Sequence, residues 1–167
     1  RELYLRIATE LYLKRCVVGG IARVYGLGRD FRNEGISMKH NPEFTMLEWY
    51  EAYADYEKTA SDLELLVHGV AVEVLGSSSI ERDGQTIDLT PPWRRVTLRD
   101  AILEHAGIDI EVETTREKLA AAMGVELESD VGWGKLVDTV FSKRVEPTLI
   151  EPTFILDYPK ELSPFAK

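Results

Sequence analysis

Two short stretches hold the side chains best suited to chemistry. Arg32 and Glu34 stand in one, and Phe44, Met46, Glu48 and Tyr50 alternate along the other. Every second residue of a strand points to the same face. If both stretches are strands of one hairpin, a single face carries an arginine, two carboxylates and two aromatic rings. Arginine offers a planar fork of donors matched to phosphate or carboxylate. Phe44 offers a ring for stacking. Glu48, between Met46 and Tyr50, is costly to bury alone, a cost that a cationic ligand would offset. Lys39 and His40, in the connecting segment, supply cations or donors for a polyphosphate. The opposite face would carry Phe31, Leu47 and Trp49 and suits a core. The same pattern also describes an ordinary solvated sheet face, where cross-strand Arg–Glu pairs contribute only about 0.2–1 kcal/mol. Spacing alone leaves both readings open.

The elements that must position these residues are legible in outline. Arg29–Glu34 and Phe44–Tyr50 read as strands. Residues 35–43 between them read as a loop, which makes an antiparallel hairpin with a long tip. Before it, Val17–Tyr25 reads as a strand interrupted by Gly19-Gly20, a pair that suits a bend or a close backbone approach. Glu2–Cys16 reads as either a helix or an irregular lead-in. Leu63, Leu66, Val67, Val70, Ala71 and Val74 form one helical stripe, with Asp55 as N-cap and Gly76 just past the end. A small hairpin is predicted over Ile80–Leu89 around Asp83-Gly84. Helices are predicted from Thr97 to near Gly107, over Thr115–Met123 closed by Gly124, and around Leu136, Val137, Val140 and Phe141 until Pro147. Thr153–Asp157 reads as a short apolar strand fenced by Pro152 and Pro159. An antiparallel sheet with helices segregated around it is an α+β fold.

Composition narrows the function classes. The 167 residues suit one domain and little more, with 44% hydrophobic and 29% charged residues. The net charge of −9, from 20 Lys+Arg against 29 Asp+Glu, does not collect phosphates non-specifically. Contact with nucleic acid therefore needs a local site or another part of an assembly. His68 and Glu73 break the longest apolar-rich stretch, Leu65–Leu75, so no membrane span is expected. A single cysteine, Cys16, excludes an internal disulfide framework and points to a reducing, cytoplasmic setting. No metal-ligating motif is present. Gly132-Trp133-Gly134-Lys135 lacks phosphate-loop spacing, and Gly26-Leu27-Gly28 lacks the third glycine of a dinucleotide fingerprint. His68 and His105 read as structural. The sequence opens without Met and closes on Ser163–Lys167, so an internal piece of a longer chain is expected.

A longer run of residues carries a resemblance. Phe31-Arg32-Asn33-Glu34-Gly35-Ile36-Ser37, then His40-Asn41-Pro42-Glu43-Phe44-Thr45-Met46-Leu47-Glu48-Trp49-Tyr50 and Ala52-Tyr53-Ala54-Asp55-Tyr56, resembles the second signature motif of class II aminoacyl-tRNA synthetases in its lysyl form. Arg6–Arg15 resembles the segment preceding that motif, and Glu151–Pro159 with Glu161, Ser163 and Pro164 a later catalytic strand. The Phe-Arg-x-Glu core is shared by many class II enzymes. The His-Asn-Pro-Glu-Phe-Thr run with Glu-x-Tyr is far more specific.

The resemblance implies an incomplete antiparallel sheet of the class II catalytic core with flanking helices. It implies that residues 1–167 are a partial catalytic domain: 1–56 strands and second motif, 57–76 a helix, 77–150 a helical insertion-like region, 151–167 a later sheet strand. It further implies a two-step reaction, in which lysine and ATP give lysyl-adenylate and the lysyl group then passes to tRNA(Lys). Carried over by position, Arg32 would hold the α-phosphate and the lysine carboxylate. Glu34 would accept from the adenine amino group, Phe44 would stack on adenine, and His40 and Asn41 would meet the triphosphate. Glu48 and Tyr50 would recognise the side-chain ammonium, and Glu10 the α-amino group. The family's first and third motifs, its anticodon-binding barrel and its Mg2+ ligands have no match in the chain. Its homodimer is expected of a longer parent, and the isolated segment is expected to be inactive. Two other readings share these motifs: a paralogue that lysylates a translation factor or a lipid, and a non-catalytic amino-acid-binding module.

Overall fold

In the computed structural model, residues 2–37, 40–127 and 129–164 are described, and the chain divides into two compact units, 1–59 and 60–167. Lys39, expected to serve a polyphosphate, lies outside the described residues.

The first unit starts irregularly and becomes helical at Thr9, the N-cap of α1 (Glu10–Val18). Glu10 in the first turn and Arg15 in the last both suit the helix dipole. Val17 and Val18 end this helix instead of starting a strand. The β-branched pair costs only a few tenths of a kcal/mol there, and the glycines that follow provide the stop. Gly19 N–H donates to Arg15 O at 2.9 Å, and Gly20 turns the chain at φ 98°. Strands β1 (Arg23–Phe31) and β2 (Glu43–Glu51) then pair antiparallel, from Arg23 opposite Glu51 to Phe31 opposite Glu43.

The hairpin is thus present, but its first strand begins at 23 and ends at 31, not at 29 and 34. Gly26 and Gly28 lie inside it, where glycine marks a close approach by another element. Arg32 N–H still donates to Pro42 O at 2.9 Å, but Glu34 N–H turns back onto Arg32 O at 3.0 Å, which ends the ladder.

Helix α2 (Tyr56–Leu75) starts where predicted, with Asp55 Oδ1 accepting the Lys58 N–H at 2.9 Å. Gly76, at φ 72°, ends it. Its buried side is rotated from the predicted apolar stripe: Glu64 and Ala71 are buried and Leu63 and Val67 half-buried, while Leu66, Val70 and Val74 are exposed. Glu64 decides this orientation. Its Oε1 lies 2.9 Å from Arg95 Nη1 and accepts the Trp93 N–H at 3.1 Å, partners that a buried carboxylate requires.

The rest of the second unit follows its local signals. Strands β3 (Ser79–Arg82) and β4 (Gln85–Asp88) form the predicted hairpin, with Asp83 and Gly84 both at positive φ. Thr97 caps α3 (Leu98–Ala106), its hydroxyl accepting from Asp100 N–H, and Gly107 ends that helix in the left-handed region. Thr115 and Gly124 do the same for α4 (Arg116–Met123). Helix α5 (Trp133–Val140) runs on through a wide π turn (Phe141–Val145) and a short 3-10 turn (Glu146–Thr148) that contains Pro147.

Strand β6 (Thr153–Leu156) pairs with β5 (Arg94–Thr97), which the sequence reading missed, and the pairing is parallel. Parallel neighbours need a long crossover, and the helices between them supply it. Leu98, Ile102, Leu119, Val137, Val140 and Val145 close the core of this crossover and are fully buried. The architecture is a mixture of helices and two-stranded sheets, two antiparallel and one parallel among the described residues. No helix among them is long and apolar enough to cross a membrane.

A bidentate pair braces this unit. Arg99 Nε and Nη2 meet Asp109 Oδ1 and Oδ2 at 2.8 and 2.6 Å. The guanidinium, helped by the Glu111 N–H, holds the Asp109 carboxyl at about 2, below its ordinary 3.8. A depressed carboxyl stabilises the fold above its unfolded pKa and loses that contribution as the pH falls through the folded value. Stability therefore declines from pH 3.8 towards pH 2 through this group, and Asp109→Asn flattens the decline. Urea-unfolding midpoints across that range test this; an unchanged slope in the variant contradicts it.

Candidate functional site

The β1–β2 register places Val24, Gly26, Gly28 and Asp30 on the same face as Tyr50, Glu48, Met46 and Phe44. This polar face is the more enclosed of the two. On the other, Tyr25 and Leu27 are 74% and 66% exposed and Leu47 is also exposed. The expectation that the Leu47 face forms the core is therefore reversed within this unit. The glycines are the cause. A Cβ at Gly26 would touch the Leu13 and Thr9 side chains at 3.5 and 3.7 Å, and one at Gly28 would collide with Arg6 Nη2. Bare backbone at 26 and 28 lets α1 and the segment before it lie directly over the strand face.

Three acids on or above this face are held by that overlying segment. Glu48 Oε2 accepts both the N–H of Thr9, at 3.1 Å, and its hydroxyl. The carboxylate thereby sits at the positive end of α1, where negative charge is stabilised. Glu48 is not a lone buried acid, since the chain supplies its first partner. Asp30 is fully buried; Arg6 Nε donates to its Oδ1 at 2.8 Å, and its Oδ2 has no partner among the described residues. Glu10 pairs with Lys14 at 2.5 Å, and the Lys14 ammonium lies 5.6 Å from the centre of the Tyr50 ring. Burial first, then the charges of Glu48 and Glu10, push the Tyr50 phenol above its ordinary value. It therefore remains a protonated donor at neutral pH.

The opposite end of the face carries the arginine. The Arg32 guanidinium stands over the Phe44 ring at 5.2 Å, and its Nε donates to Ile7 O at 3.3 Å. Glu34 does not share this strand face, because the strand ends before it. It lies 3.9 Å from His40 Nε2 instead, and His40 Nδ1 meets Ser37 Oγ at 2.9 Å. Asn41 is exposed beside them.

The structure thus gathers two groups: Arg32 with Phe44, and Glu10, Glu48 and Tyr50 around Thr9 and Lys14. Glu34, His40 and Asn41 make no side-chain hydrogen bond or ion pair to either group among the described residues. No three His, Cys, Asp or Glu side chains converge to hold a metal among the described residues.

Arg6, Thr9, Lys14 and Asp30 belong to this face and were not singled out in the sequence. A signal for them existed. Gly26 and Gly28 alternate in strand period, which predicts something packed on that side, and Thr9-Glu10 is a helix start with an acid in its first turn.

Comparison with known proteins agrees with the motifs. The profile of the family described as tRNA synthetases class II (D, K and N) matches residues 1–167. The chain belongs to this family. It is 53% identical over 171 residues to the lysine–tRNA ligase of Pelotomaculum thermopropionicum and 56% over 170 residues to that of Thermosynechococcus vestitus. It is also 53% identical over 171 residues to that of Roseiflexus castenholzii. These alignments take in 99–100% of the chain and 34–35% of each relative. The chain spans about a third of the length of the curated relatives it matches.

In this class II synthetase segment, Arg6 is the only side-chain partner of buried Asp30 among the described residues. Arg6→Ala is expected to cost about 2–3 kcal/mol, the penalty of stranding a buried charge. Adding Asp30→Asn should recover at least half of it. Denaturant unfolding of both variants is the measurement, and strictly additive losses contradict the pairing.

Proposed function

We propose that this chain is the part of a lysine–tRNA ligase that seats lysine and ATP, forms lysyl-adenylate, and presents the lysyl group for transfer to tRNA(Lys). The observation that carries the reading is the division of one strand face into two anchors. Arg32 and Phe44 stand at one end, and Glu10, Glu48 and Tyr50 at the other. Four strand residues, about 14 Å, separate Phe44 from Glu48. That span suits an elongated ligand with an aromatic base at one end, an anion between, and an ammonium at the other. The identity to three lysine–tRNA ligases supports reading that ligand as lysyl-adenylate.

Each residue then has a role its chemistry supports. Phe44 stacks on adenine. Arg32 holds the lysine carboxylate and the α-phosphate, and stabilises the charge that develops as the carboxylate attacks phosphorus and pyrophosphate leaves. Glu34 accepts from the adenine amino group, and His40 and Asn41 meet the triphosphate from the loop. Glu48 and the protonated Tyr50 read the side-chain ammonium, and Glu10 takes the α-amino group. Mg2+ ligands are expected in other parts of the parent enzyme, and no step here is assigned to that ion. At a net charge of −9, contact with tRNA is local or made by the rest of that enzyme. The hairpin is read as part of the antiparallel sheet of the class II catalytic core, and residues 77–150 as a helical insertion.

Two substitutions in the full-length protein test this, read by lysine-dependent ATP–pyrophosphate exchange. Arg32→Ala is expected to lower kcat by roughly a hundredfold or more, the scale of losing one donor to developing charge, with a smaller change in the KM for lysine. Unchanged exchange contradicts the assignment. Glu48→Gln is expected to act mainly on the lysine KM, raising it at least tenfold because an ammonium loses its charged partner. An unaltered lysine KM contradicts the role of Glu48.

A further inference from the structure

The helix that brings Glu10 to the site also brings a cation. Lys14 follows Glu10 by one turn, with its Nζ 2.5 Å from Glu10 Oε1. An acid–base pair at this spacing is an ordinary feature of helix surfaces. Two further observations tie this one to the site. The ammonium also faces the Tyr50 ring, on a different element, at 5.6 Å. In addition, Glu10 first, against a smaller opposing effect of burial, and then Glu48 favour its charged form. The Lys14 side chain is 52% exposed, so its flexible stem has a path away from the site.

This arrangement poses a conflict for an amino-acid ligand. An α-ammonium needs a carboxylate, and the carboxylate assigned to it is held by Lys14. Two ammonium groups on one carboxylate repel each other. We propose that Lys14 is a tethered stand-in for the ligand's α-ammonium: it holds Glu10 in the free protein and yields when the amino acid binds. It thereby sets the affinity of the site for ligands that bear that group. The proposal rests on the reading of Glu10 as the partner of the α-amino group.

The test is calorimetric titration of the full-length protein with lysine and with 6-aminohexanoate, which keeps the carboxylate and terminal ammonium but lacks the α-amino group. Lys14→Met keeps the stem and removes the charge. It is expected to lower the Kd for lysine about two- to fivefold, the scale of one exposed ion pair no longer broken on binding. The Kd for 6-aminohexanoate stays as it was. Lys14→Arg retains a cation and keeps lysine within about twofold of the unsubstituted protein. Weaker or unchanged lysine binding in Lys14→Met overturns the proposal, as does equal tightening of both ligands, which would reflect only the general field of the site. The lysine arm decides the sign by itself. Failure of the unsubstituted protein to bind lysine refutes the functional reading and this proposal with it; intact binding with any of the other contrary results refutes this proposal alone.

Discussion

The contact between Glu48 and Thr9 organises the first unit. A strand carboxylate reaches the start of α1 and takes two donors from the residue that begins the helix. Gly26 and Gly28, opposite Glu48 and Met46, present bare backbone beneath the Thr9, Leu13 and Arg6 side chains. A Cβ at Gly26 would stand in contact with Leu13 and Thr9, and one at Gly28 would displace the Arg6 guanidinium. The acid holds the start of the helix over the strand face.

The same face shows how charge is managed near a strand pair. Asp30 sits fully buried on a single arginine, while Glu48 and Glu10 each have one partner from the overlying segment. A negative cluster of this kind is costly to assemble unless cations or helix ends face it. At the other end, Arg32 already rests on an aromatic ring and a backbone carbonyl. Both ends are therefore partly engaged by the chain itself, by the Lys14 ammonium at one end and the Arg32 guanidinium over Phe44 at the other.

Much of this was legible in the sequence where a local signal had a single physical meaning. Asp55, Thr97 and Thr115 cap helices, Gly76, Gly107 and Gly124 end them, and Asp83-Gly84 turns a hairpin, all as composition predicts. The parity of Phe44, Met46, Glu48 and Tyr50 also held. Errors arose where tertiary contacts outvote local pattern. Val17 and Val18 are an exception of local origin, helical because the stop at Gly19 and Gly20 comes only after them. Glu34 leaves the strand because the backbone turns at Arg32. Only Leu66, Val70 and Val74 of the α2 stripe are exposed, because buried Glu64, bound to Arg95 and Trp93, turns the Glu64–Ala71 side inward. Strand β5 was missed because its two arginines and adjoining helix cap hide a parallel pairing with a partner some sixty residues on. Such pairing leaves no local trace.

The central claim is that two anchors of the first unit, Arg32 with Phe44 and Glu10 with Glu48 and Tyr50, together seat an aminoacyl-adenylate. The most direct measurement is a crystal structure of the full-length protein with a non-hydrolysable lysyl-adenylate analogue. The account predicts adenine on Phe44, the phosphate linkage at Arg32 and the lysine side-chain ammonium between Glu48 and Tyr50. An analogue seated against Tyr25, Leu27 and Leu47, or away from the hairpin altogether, would contradict it.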